Sequence, residues 1–114
     1  RTAVPFGVSG PAQAAAVAAL VQRPEVLRRA AAVVAERERM LTVLRADGWR
    51  LPESAANFIW LRCAGTALEH LVARFDAADI LVRGYAGDGI RISLADPATN
   101  DRVLAVLAAA GPTR

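Results

Sequence analysis

The sequence predicts an α/β chain of the α+β kind, a small antiparallel or mixed sheet packed by helices and preceded by a long connecting helix. Three observations predict it. The apolar series Val26, Ala30, Val33, Met40 and Leu44 keeps helical spacing from Pro24 to Gly48, broken only by Arg37. Asn57 to Cys63 holds Phe58, Ile59, Trp60 and Leu61 in succession, a strand pattern apolar on both faces and so expected at the centre of a sheet. Two further β-type runs, Ile80-Leu81-Val82 and Ile90-Arg91-Ile92-Ser93-Leu94, flank a turn carrying Gly84, Gly87 and Gly89, which is a hairpin signal.

In chain order, Arg1 to Val8 reads as extended, because Pro5 disfavours a helical Val4 and Gly7 interrupts any pattern. The absence of an initiating methionine fits a processed or excised piece. Ser9-Gly10-Pro11 starts a short alanine-rich helix running to Val21, with Pro11 at its first position. Pro24 and Glu25 restart the helix, and Glu25 with Arg29 at four residues and Glu36 with Arg39 at three lace its outer face. Asp47-Gly48 ends it, Gly48 taking the left-handed position. So long a helix suggests a strut between two bodies. Trp49 to Leu51 is expected as a short edge strand stopped by Pro52. Thr66 and Glu69 form a capping box ahead of the stripe Leu68, Leu71, Val72, Phe75. After the hairpin, Asp96-Pro97 caps a last helix carrying Val103, Leu104 and Leu107, closed by Gly111-Pro112. The expected organisation is 1–48 as entering segment and interdomain helices, and 49–114 as a small C-terminal α/β domain.

Composition excludes several functions. A chain of 114 residues holds one modest core. Its 54% apolar content, rich in alanine, and mean hydropathy of +0.29 suggest an apolar face covered by something outside it. All 14 basic residues are arginine, so no ε-amino group exists for a Schiff base. The net charge of +3 raises the question of nucleic acid, but the arginines are interleaved with glutamates and only 5% of residues are aromatic, so no nucleic-acid partner is expected. One cysteine, Cys63, and one histidine, His70, exclude an internal disulfide and any recognisable zinc spacing; Cys63 reads as a small buried thiol. No signal peptide or spanning segment is visible, so no membrane partner and a cytoplasmic location are expected.

Chemistry is confined to one place. Arg91 stands between two isoleucines on a strand, with Arg83 across the hairpin. Two planar, permanently charged guanidinium groups at the end of a small sheet make a site for a carboxylate or phosphate. The competing reading pairs both with Asp79 or Asp88. Glu36 and Glu38 sit beside arginines and read as solvated salt bridges, Asp88 as a turn residue, and Ser9, Thr66 and Ser93 have no neighbouring histidine in the sequence to activate them. No catalytic, metal-binding or cofactor-binding residue is assigned.

Val82-Arg83-Gly84-Tyr85 followed by Gly89-Ile90-Arg91-Ile92-Ser93 resembles the C-terminal end of histidinol-phosphate aminotransferases and the related aromatic amino acid aminotransferases, fold type I enzymes that use pyridoxal phosphate. Val4-Pro5-Phe6-Gly7-Val8-Ser9 with Gln13-Ala14-Ala15, Val34-Ala35-Glu36-Arg37-Glu38-Arg39, Ser54-Ala55-Ala56-Asn57-Phe58-Ile59-Trp60 and Pro97-Ala98-Thr99-Asn100-Asp101 are similar to successive segments of the same family. The resemblance covers essentially the whole chain. It implies that Arg91 binds the α-carboxylate of an amino acid or 2-oxo acid substrate and that Arg83 contacts the distal group, the phosphate in histidinol phosphate. It also implies a 2-oxoglutarate-type acceptor, a homodimer in full-length form, and a large domain, absent here, that supplies the Schiff-base lysine. Pyridoxal phosphate is then expected in the full-length enzyme and not on this chain, which is expected to be inactive alone. Gly84 stands where the family often has proline and Gly7 where it often has asparagine. Two other roles fit the residues: a free-standing small-molecule-binding regulatory module, from the strand-helix-strand-strand-helix order after Asn57, and a dimerising interaction domain, from the alanine-rich helix.

Overall fold

The computed structural model describes residues 7–112. The extended segment expected from Arg1 to Val8 lies, as far as Phe6, outside the described residues. The elements are helices α1 (Gly10–Val21) and α2 (Arg23–Ala46), strand β1 (Phe58–Arg62), helix α3 (Gly65–Ala77), strands β2 (Arg83–Tyr85) and β3 (Gly89–Ser93), and helix α4 (Pro97–Ala110). They fall into two compact units, Arg1–Ala32 and Val33–Arg114.

In the first unit, Ser9 caps α1, its hydroxyl accepting the Ala12 N–H at 3.4 Å, and Pro11 opens the first turn as expected. The break before α2 is a single residue, Gln22. The expected Glu25–Arg29 pair forms at 2.7 Å, and Glu25 also accepts from Arg28 at 2.7 Å.

In the second unit, the end of α2 buries Met40, Leu41 and Leu44, while Val33 of the predicted stripe is exposed, as is Val26 in the first unit. Gly48 (φ +89°) reverses the chain, and the Trp49 N–H returns to the Leu44 carbonyl at 2.9 Å. That bond is why no strand forms at Trp49 to Leu51. One backbone donor caps the helix and Pro52 removes another, so the segment has no ladder to offer. Arg37 is buried and donates to the Ala56 carbonyl at 3.2 Å and to Glu38, holding the loop that leads into β1.

The sheet order is β1-β3-β2, with β3 antiparallel to both neighbours. β1 and β2 therefore run in the same direction with β3 inserted between them, a split β-α-β unit closed by α3. This corrects the expectation for Asn57 to Cys63: β1 is an edge strand and β3 is central. Ile59, Leu61, Ile90 and Ile92 alternate into the core, where they meet Leu68, Leu71 and Phe75 of α3 and Val103 and Leu107 of α4. Burying such side chains contributes roughly 1.5–3 kcal/mol each.

Two other expectations shift. Gly65 (φ +55°) opens α3 with Ala64 as its unassisted cap, so Thr66 lies inside the first turn and the capping box does not form. The run Ile80-Leu81-Val82 is not a strand. The Ile80 N–H still caps α3 through the Phe75 carbonyl at 2.9 Å, and Asp79 (φ +53°) sits in left-handed space, so β2 starts only at Arg83.

Asn100, fully buried, fastens α4 to the rest of the second unit. Its Oδ1 accepts the Ala95 N–H at 3.0 Å, and its Nδ2 donates to the Ala95 carbonyl at 2.9 Å and to Glu36 at 3.1 Å. Asn100→Ala leaves these groups without partners and is expected to lower unfolding free energy by about 2–3 kcal/mol, measured by denaturant titration. The same cluster carries a pH dependence. The Arg39 guanidinium, with help from Asn100, holds the Glu36 carboxyl below its ordinary 4.5. A lowered carboxyl stabilises the fold fully above the ordinary value and ceases to do so as pH falls through the lowered one. The thermal midpoint is expected to fall below pH 4.5, and Glu36→Gln to flatten that fall; an equally steep acid limb in the variant would place the effect elsewhere.

Candidate anion-binding site

The face of the sheet turned away from the core holds both arginines singled out from the sequence. Alternation along β1 and β3 sends Phe58 and Trp60, and Arg91 and Ser93, to this face, while the isoleucines take the other. The register then aligns Trp60, Arg91 and Arg83 in one row across three strands, Arg91 being the direct partner of each of the other two. A three-residue turn, Ala86-Gly87-Asp88, fixes that register: Gly87 supplies φ +78° and the Asp88 N–H returns to the Tyr85 carbonyl at 3.1 Å. Asp88 is a turn residue, as expected.

Neither arginine finds a carboxylate among the described residues. The ion pairs formed there belong to Arg28, Arg29, Arg37, Arg39 and Arg45, so the pairing with Asp79 or Asp88 is not made. Each guanidinium lies instead over an aromatic ring, Arg83 at 5.2 Å from the Tyr85 centroid and Arg91 at 5.8 Å from that of Phe58. Trp60 and Tyr85 meet with centroids 5.4 Å apart and planes at 57°. Arg83, Arg91, Leu81, Val82 and Ser93 line an open cavity of about 330 Å³. A shallow, positively charged recess with an apolar rim is suited to an anion carrying an apolar body.

The other chemically interesting residues are elsewhere. His70 is exposed on α3 and lines a separate recess of about 220 Å³ with Arg74. Cys63 is half-buried rather than fully enclosed, and burial pushes its thiol up, away from the nucleophilic thiolate. Among the described residues no group of three or more His, Cys, Asp or Glu could hold a metal ion. No described helix is long and apolar enough to cross a membrane.

Sequence reasoning found the two arginines and missed their aromatic floor. The signal was present: once β1 is taken as an edge strand, the alternate residues Phe58 and Trp60 share a face with Arg91.

No protein-family model matches the chain. It is 48% identical over 106 residues to a protein of Thermobifida fusca named aromatic amino acid aminotransferase, an alignment covering 93% of this chain and 29% of that protein. Proteins of the same name from Streptomyces avermitilis and Mycobacterium avium are 45% and 42% identical, covering 93% and 91% of this chain and 29% of each. Among solved structures, a Burkholderia pseudomallei protein provisionally named an aminotransferase superposes with a TM-score of 0.59 at 33% identity, over 68% of this chain and 24% of that one. The α+β fold and these similarities define the chain as part of an aminotransferase. Its sequence groups with the C-terminal segments of relatives bearing the name aromatic amino acid aminotransferase, and it spans about 29% of the length of those relatives.

Proposed function

We propose that this segment supplies substrate recognition in a pyridoxal-phosphate-dependent aminotransferase acting on an aromatic amino acid or histidinol phosphate as donor, with a 2-oxoglutarate-type acceptor. The observation that supports this reading is the row of two arginines on an open sheet face, neither ion-paired among the described residues. Arg91, on the central strand, has its backbone held on both sides and is placed to take the feature common to all these substrates, the α-carboxylate. Arg83, on the edge strand, takes the distal group. The residues present do not fit the cofactor itself, since the chain has no lysine to form an imine with it. The role of this chain is to bind and orient the substrate carboxylate.

In this reading 1–48 link the segment to a large domain and 49–114 form the small domain, with the buried Met40, Leu41 and Leu44 building the end of the link into the small-domain core. The exposed Val17, Leu20 and Val21 of α1 are then surface for the rest of a homodimeric, cytoplasmic enzyme to cover.

Steady-state transamination by the longer enzyme, with phenylalanine and histidinol phosphate as alternative donors, tests the assignment. Arg83→Ala is expected to weaken use of the phosphate-bearing donor by about tenfold, the value of one hydrogen bond to a charged group, while phenylalanine suffers less. Equal losses for both donors would remove Arg83 from the distal-group role.

A further inference from the structure

We propose that Phe58 and Tyr85 are positioning residues, whose rings seat the Arg91 and Arg83 guanidinium groups for an anionic substrate without cancelling their charge. The proposal rests on the aminotransferase reading and deepens it.

Like charges directly opposite on antiparallel strands oppose each other, and Arg83 is the register partner of Arg91. The chain answers such crowding elsewhere with carboxylates: Glu25 takes Arg28 and Arg29, Glu36 and Asp101 take Arg39, and Glu53 takes Arg45. On the sheet face it supplies rings instead, at 5.2 Å and 5.8 Å, within the roughly 6 Å over which an aromatic face attracts a cation. The two solutions differ in what they leave free. A carboxylate occupies the fork of N–H donors that a substrate would need, whereas a ring attracts the cation without accepting from that fork and leaves the donors available.

The seat is itself braced. Trp60 packs on Tyr85, and the Trp60 ring lies close over residue 89, where a Cβ would stand 3.0 Å from Trp60 Cζ2. On the core side of β2, Gly84 lies against Val72, where a Cβ would come within 3.3 Å of Val72 Cγ2, so the strand carrying Arg83 and Tyr85 sits tightly on α3. Phe58 reaches Arg91 diagonally, one register step from Trp60. A substrate carboxylate or phosphate then meets guanidinium edges already held in place, and it is the charge that relieves the Arg83–Arg91 opposition.

The test compares Phe58→Leu, Tyr85→Leu, Tyr85→Phe and Phe58→Glu with Arg91→Ala in the full-length enzyme, with thermal midpoints taken alongside. Each leucine variant keeps apolar bulk and loses the ring, and KM for the amino acid donor is expected to rise about fivefold with kcat little changed. Tyr85→Phe, which keeps the ring, should restore the parent KM. Phe58→Glu gives Arg91 a competing carboxylate and should raise KM as far as Arg91→Ala does while leaving the thermal midpoint unchanged or higher. Parent KM in Phe58→Leu and Phe58→Glu beside an impaired Arg91→Ala overturns the seating role and leaves the carboxylate reading intact. Tyr85→Phe as impaired as Tyr85→Leu also overturns it. Parent kinetics in Arg91→Ala overturns the reading beneath both. Should Tyr85→Leu fail to fold, Phe58→Glu decides.

Discussion

Arg91→Ala in the full-length enzyme is expected to lower kcat/KM for every amino acid donor by about 10- to 100-fold, mainly through KM. Hydrogen bonds from a guanidinium to a carboxylate contribute roughly 1.5–3 kcal/mol, which sets that range. The loss should be uniform across donors, because the α-carboxylate is the group they share, and this separates Arg91 from Arg83. Arg91→Lys should recover only part of it, since an ammonium restores charge and not the two-pronged geometry. No folding defect is expected to obscure the result: Arg91 is only half-buried, has no ion pair among the described residues, and lies outside the core cluster. Unchanged kinetics would make it an ordinary surface arginine.

Gly89→Ala is expected to be the most damaging single methyl group that can be added to the sheet. An added Cβ would lie inside van der Waals contact with the Leu61 carbonyl oxygen and 3.0 Å from Trp60 Cζ2. The oxygen is part of the ladder joining β1 to β3 and cannot swing aside as a side-chain tip would. We expect a loss of about 3 kcal/mol in denaturant unfolding, at the upper end for overpacking, because the central strand is the one being pushed. Gly87→Ala is the control. It meets open space but must adopt φ +78°, for a cost of about 1–2 kcal/mol. If Gly87→Ala proved the worse of the two, turn conformation rather than strand contact would govern the hairpin.

Helices were legible where capping chemistry was written into the chain. Ser9-Gly10-Pro11 and Asp96-Pro97 begin α1 and α4 as expected, with Asp96 accepting the Thr99 N–H at 3.1 Å, and Gly48 and Gly111 close α2 and α4 at positive φ. The strands were less legible, because their limits depend on where neighbouring helices stop. Ile80 and Trp49 looked like strand residues, yet their N–H groups finish α3 and α2. The centre of the sheet was misplaced for a related reason. On the outward face Phe58 lies beneath Arg91 and Trp60 packs on Tyr85, an arrangement that an apolar run does not distinguish from burial between helices. Arg37 and Asn100 show the opposite failure: both are polar in sequence and buried in the fold, and each is satisfied by backbone from segments distant in sequence or by a local turn. Arg83 and Arg91 could be read because a strand seldom carries such a charge without cause, but their direct opposition needed the register.

The placement of those two arginines also sets how this surface can change over generations. Arg91 sits on the strand bonded along both edges, so any replacement there must be accommodated by two neighbours at once. Arg83 sits on a strand of three residues bonded along one edge, beside a turn whose glycine has open space around it. Replacing the exposed Arg83 side chain alone leaves the packing of Gly84 on α3 and of Tyr85 on Trp60 in place. On the proposed roles, a lineage adopting a new donor would vary Arg83 first and leave Arg91 as inherited.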